Sequence, residues 1–141
     1  MSDETPLTPE QLSRLREAIN QVPYAQLLGI EFEEATRGAA TLSMSARPEL
    51  QRFGGIMHGG ALASLADSAS AFAVLSTLAD DEQTVTVDLT LHYLRPVTGG
   101  KLTARARVLR GGRRVATVSV EIFNESGALV VTALTTYIKL R

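Results

Sequence analysis

The chain has 141 residues, 45% of them hydrophobic and 21% charged, with a formal net charge of −1 and no cysteine. That length suits one domain with its own core, and the charge balance supplies no broad basic field for nucleic acid. The lack of cysteine excludes disulfides, thiolate nucleophiles and Cys-ligated metals. With no basic segment leading into an apolar run at the N-terminus, the expectation is a cytoplasmic protein without a membrane partner.

In chain order, a polar tail leads to a helix predicted to start at Thr8, with Pro9 at its first position and Glu10 and Gln11 in its first turn. Leu12, Leu15, Ile19 and Val22 give it one apolar stripe, so residues 1–22 read as a tail and amphipathic helix belonging to the same domain as 23–141. Pro23 ends that helix, and a short helical turn closes at Gly29. Strands are expected near 30–36 and 39–46, around a turn at Arg37 and Gly38, and Pro48 stops the second.

The stretch from Phe53 to Ala79 opens with glycines around His58 and continues as a long helix, apolar on every side, in which Asp67 is the only acidic residue. Such a helix belongs inside a protein, so a lone carboxylate in it calls for one of three accounts: chemistry, a bond to a buried arginine, or a solvated position on the helix. After residues 80–83 the period becomes twofold. Val85, Val87, Leu89, Leu91 and Tyr93 share one predicted face, and Thr84, Thr86, Asp88, Thr90 and His92 the other. Three more alternating strands follow, with hairpin turns at Gly111-Gly112 and residues 124–127, and these strands should form an antiparallel meander. The expected architecture is α+β, a curved antiparallel sheet of about six strands wrapped around one long central helix. The edges of an open sheet favour association, so a dimer at least is expected.

The run HGGALASLADSASAFAV, preceded by FGGIM and followed by TVDLTLHYLRPVTGG, resembles the signature of hot-dog-fold acyl-CoA thioesterases of the phenylacetate-pathway type. The resemblance covers nearly all of the chain after Tyr24. Its most specific part is His-Gly-Gly with an aspartate nine residues after the histidine. It implies that the Gly59 backbone N–H polarises a thioester carbonyl, that Asp67 acts as nucleophile or general base, and that the Thr86 hydroxyl positions water. Gly59 and Asp67 are about 12 Å apart along a helix at ~1.5 Å per residue. The family's solution to that gap is a site shared across a dimer. Many members carry an asparagine six residues before the histidine; Arg52 stands there in this chain, with Gln51 beside it to supply the amide.

Free N–H groups at a helix start suit a developing oxyanion on physical grounds alone, and a glycine there leaves room for a substrate. His58 is expected to cap the helix or orient the loop rather than to move a proton. Gly60, Leu62, Leu65, Phe72 and Arg95 are the candidate substrate contacts, with the three apolar side chains lining an acyl slot. Arg110, Arg113 and Arg114 are further candidates for coenzyme A phosphates. His58 and His92 lack metal-ligand spacing, so neither a metal nor a cofactor is expected, coenzyme A being part of the substrate. The function implied is hydrolysis of an aromatic or medium-chain acyl-CoA by a homodimer, or a homotetramer built as a dimer of dimers. The alternative is a non-catalytic hot-dog protein that binds acyl-CoA as a sensor or carrier; a hot-dog hydratase fits the setting of Asp67 less well.

Overall fold

The computed structural model describes residues 5–140, so the expected polar tail at 1–4 lies outside the described residues. Helix α1, Pro9–Asn20, starts where the sequence places it: the Thr8 hydroxyl accepts from Gln11 N–H and the Gln11 side chain accepts from Thr8 N–H, a reciprocal cap. Its stripe buries Leu15 and Ile19. Helix α2, Pro23–Leu28, ends at Gly29, whose φ of 74° is a left-handed conformation open to glycine at little cost. Strands β1, Glu31–Thr36, and β2, Ala39–Ser45, form a hairpin, and a 3₁₀ turn at Pro48–Leu50 leads to helix α3, Gly59–Leu75. Then come β3, Gln83–Tyr93; β4, Lys101–Gly111; β5, Val115–Phe123; and β6, Leu129–Leu140.

The six strands form one antiparallel sheet in the order β1-β2-β4-β5-β6-β3. The expected meander is β4-β5-β6. Strand β3 reaches its neighbour β6 only by crossing the sheet, and it forms an edge. Helix α3 contacts every strand, so the sheet wraps it. Its sheet-facing side buries Leu62, Leu65, Ala66, Ala69, Phe72, Ala73 and Val74, and a fully buried leucine or phenylalanine contributes about 1.5–3 kcal/mol. The helix is not enclosed on every side. Gly60 is exposed, and Ala63, Ser64, Asp67, Ser68 and Ala71 are half-exposed along its outer flank.

Strand β3 departs from the alternation its sequence suggests. A bulge between Thr86 and Asp88 inserts one unpaired residue, Val87, and shifts the facing of everything beyond it. Thr86, Leu89, Leu91 and Tyr93 therefore all turn toward the helix, as their bonds and packing require, while Val85 and Val87 face outward at 46% and 55% exposure. The expected dry face running from Val85 to Tyr93 is thus split. Thr86 and Tyr93 are seven residues apart, an odd number, and only the extra residue puts both on one side.

Candidate active site

The N-terminus of α3 is organised by His58. Its Nδ1 accepts from Gly60 N–H at 2.8 Å, and its carbonyl accepts from Ala61 N–H at 3.0 Å and Leu62 N–H at 3.4 Å. His58 is therefore the cap and serves two of the four amides that the helix start leaves unpaired, those of Gly60 and Ala61, while its own N–H bonds the Leu50 carbonyl. The remaining one belongs to Gly59, whose N–H has no acceptor among the described residues. It is a free donor at the positive end of an apolar helix.

The structure adds a second reason for glycine at 59, beside room for a substrate. A Cβ there would meet the ring of Tyr93, with Cζ and the hydroxyl oxygen each 3.3 Å away. Tyr93 also donates from its hydroxyl to the Gly59 carbonyl at 2.8 Å, so β3 holds the first residue of α3 in place. Gly60 is tighter still, since a Cβ would lie 2.9 Å from His58 Nδ1. Its N–H is taken up by the cap, so it offers no amide to a ligand. On the outer flank, Tyr24 of α2 hydrogen-bonds Ser64 Oγ at 2.8 Å, and Ser64 donates to the Gly60 carbonyl at 2.9 Å.

Two turns into α3, Asp67 is half-exposed. Thr86 Oγ1 donates to its Oδ1 at 2.9 Å, and the Tyr137 hydroxyl donates to the same oxygen at 2.5 Å and to the Asp67 main-chain carbonyl at 2.6 Å. Thr86 and Tyr137 stand opposite each other in the β3-β6 ladder. No cation pairs with Asp67 among the described residues, so it is not the partner of a buried arginine. Burial, and then the neighbouring carboxylate, push the Tyr137 hydroxyl well above the usual phenol range, so it stays protonated and donates.

A cavity of about 270 Å³ opens beside Gly59, lined by Arg52, Leu62, Tyr93 and Arg95 among others. Arg95 and Arg52 thus stand together at the amide donor. Arg110 lies near the end of β4, and Arg113 and Arg114 in the β4-β5 turn at the far end of the sheet from Gly59, where Lys139 N–H bonds the Arg114 carbonyl. Gln51 is half-buried, bridged to Met57 across the glycine loop, and Arg52 donates to the Phe53 carbonyl and stacks on its ring. Of the other expected substrate contacts, Leu65 and Phe72 are 0% and 4% exposed in this chain and lie in its core, where Phe72 packs on Phe32 of β1. Tyr93 and Tyr137 escaped the sequence reading. Tyr137 stands out as a phenol on the inward face of β6, but its partner is 70 positions away in the chain. Among the described residues no group of three or more His, Cys, Asp or Glu is disposed to hold a metal ion, and no helix is long and apolar enough to cross a membrane.

A family model described as the thioesterase superfamily matches residues 54–131. A putative esterase of Saccharolobus solfataricus is 32% identical over 130 residues, spanning 92% of this chain and 86% of that protein. A medium/long-chain acyl-CoA thioesterase of Escherichia coli is 31% identical over 148 residues, spanning 93% and 96%. Among solved structures, a thioesterase from Haemophilus influenzae matches with a TM-score of 0.86 at 25% identity, over 100% of this chain and 96% of that one. The PaaI protein of the E. coli phenylacetic acid degradation operon matches with a TM-score of 0.85 at 27% identity, over 94% and 95%.

Proposed function

The chain belongs to the thioesterase superfamily and is a thioester hydrolase of the hot-dog fold, and we propose that it cleaves aromatic or medium-chain acyl-CoA thioesters to the free acid and coenzyme A. In this reading the Gly59 N–H donates to the thioester carbonyl and strengthens its bond as the oxygen becomes an oxyanion. Asp67 drives the attack in one of two ways. As a general base, it takes a proton from water as the water oxygen bonds to the carbonyl carbon. The tetrahedral adduct then expels the coenzyme A thiolate, which recovers that proton. As a nucleophile, one carboxylate oxygen displaces the thiolate to give a mixed anhydride, which water hydrolyses. Arg95 and Arg52, beside the Gly59 cavity, are candidates to meet the phosphates of coenzyme A. Gln51 stays a candidate for the amide that holds the carbonyl or the water.

Asp67 and Gly59 of one chain are too far apart to act on one carbonyl, so the site is shared between two copies. Strand β3 supports this arrangement as an eleven-residue edge with outward-facing valines. Antiparallel pairing of β3 with its copy about a twofold at Thr90, counted past the unpaired Val87, sets Tyr93 of one copy opposite Thr86 of the other. Tyr93 holds Gly59 and Thr86 holds Asp67. The observation that carries the reading is Asp67 itself, a half-exposed carboxylate fixed by two hydroxyls on an otherwise apolar helix, with no cation paired to it among the described residues. Asp67→Asn is expected to lower thiol release about 10³-fold or more across benzoyl-, phenylacetyl- and straight-chain acyl-CoAs, with fold and assembly unchanged. Near-normal rates on that panel would remove Asp67 from the mechanism.

A further inference from the structure

The hydrolysis outlined above assigns no task to Tyr137, yet its hydroxyl makes the shortest contact to the Asp67 carboxylate. The side chain is 1% exposed, and the ladder sets it directly across from Thr86. Both hydroxyls converge on Oδ1, from β6 and from β3, while Oδ2 receives no hydrogen bond from any described residue. The two oxygens of a carboxylate are equivalent until hydrogen bonds distinguish them. The one that accepts two donors has its lone pairs engaged and is the poorer base and nucleophile, and the other is left to react. The same pair of bonds fixes the carboxyl plane, and because Tyr137 also bonds the Asp67 main-chain carbonyl, it ties the side chain to its own backbone.

We propose that Tyr137 is a positioning residue of the hydrolase: together with Thr86 it holds Asp67 Oδ1 and so presents Oδ2 as the atom that meets water or the thioester carbonyl. The proposal rests on the reading of Asp67 as the reacting carboxylate and adds which oxygen reacts and what orients it. The bulge at Val87 fits this role, since it turns Thr86 inward to join Tyr137 without removing Leu89, Leu91 and Tyr93 from the same face.

Tyr137→Phe removes the hydroxyl and keeps the ring. With thiol release as the assay, kcat should fall about 10- to 100-fold, the scale on which misplacing a reacting group acts, while KM stays within about threefold. The acidic limb of the kcat/KM profile should move to higher pH, because a donor that favours the charged carboxylate is gone. No lysine, arginine or histidine bonds Asp67 among the described residues. A purely structural tyrosine would lower the melting temperature and leave limb and kcat in place, and that result would overturn the proposal. Should Tyr137→Phe fail to fold, 3-fluorotyrosine at position 137 nearly keeps the shape and strengthens the donor. The limb should then move to lower pH, and a stationary limb would overturn the proposal. Asp67→Asn runs alongside: full turnover by that variant would end both readings, whereas its inactivity combined with a wild-type Tyr137→Phe profile would remove the positioning role alone.

Discussion

A missing Cβ at residue 59 determines how closely Tyr93 approaches the first turn of α3. Gly59 is not among the residues with positive φ, so alanine suits its backbone and is the better helix former. The obstacle is the Tyr93 ring, 3.3 Å from the atom that would be added. Gly59→Ala is therefore expected to leave stability within about 1 kcal/mol of wild type while kcat/KM falls about 10-fold or more, because the free N–H and its tyrosine brace shift together. Steady-state kinetics beside a thermal melt would separate the two. At this scale the sequence was informative where function concentrates unusual residues locally. Asp67 stood out against an apolar helix, and His58 sat where a helix needs a cap. The roles of the two tyrosines were not legible, because each meets its partner only through the sheet, and Leu65 and Phe72 could not be placed in the core until the wrapped side of the helix was known.

Each element begins and ends where local chemistry dictates: the reciprocal cap at Thr8, the left-handed Gly29, the His58 cap of α3. The bulge in β3 was hidden because TVTVDLTLHYL alternates without fault, and only the competing demands of Asp67, the core and Gly59 on one strand call for the extra residue. Strand β6 carries a related oddity. Thr135, two residues before Tyr137 and 0% exposed, has a hydroxyl with no hydrogen-bond partner among the described residues. An unsatisfied buried hydroxyl costs about 1–3 kcal/mol, and valine keeps the branching without it. Thr135→Val is expected to raise stability by about 1 kcal/mol, a gain of roughly 2–4 °C in Tm for a domain of this size, with turnover unchanged. A lower Tm would mean that the hydroxyl is partnered.

In the proposed assembly, one sheet edge and one helix start cooperate with their counterparts in a second copy. The chain has no cysteine, so a single introduced thiol can report that pairing without background. Thr90→Cys sits at the proposed twofold. Under mild oxidation it should form an intermolecular disulfide, since paired antiparallel strands bring residues near such an axis within the 4.4–6.8 Å Cα separation that a disulfide spans. Non-reducing electrophoresis would read it, and a thiol that remains free would argue for a different seam. Strand order was the part of the architecture least available from the sequence, because β3 crosses to β6 through contacts that no local pattern encodes. The single inserted residue at Val87 also restricts how this protein can be re-engineered. Trimming or padding the strand by one position rotates half of its side chains by 180° and disconnects either the acid or the amide from its brace. A two-position change keeps the facing but, in the proposed pairing, would slide one copy along the other. Any graft between relatives must therefore carry the strand whole, as a cassette whose length is counted from Thr86 to Tyr93.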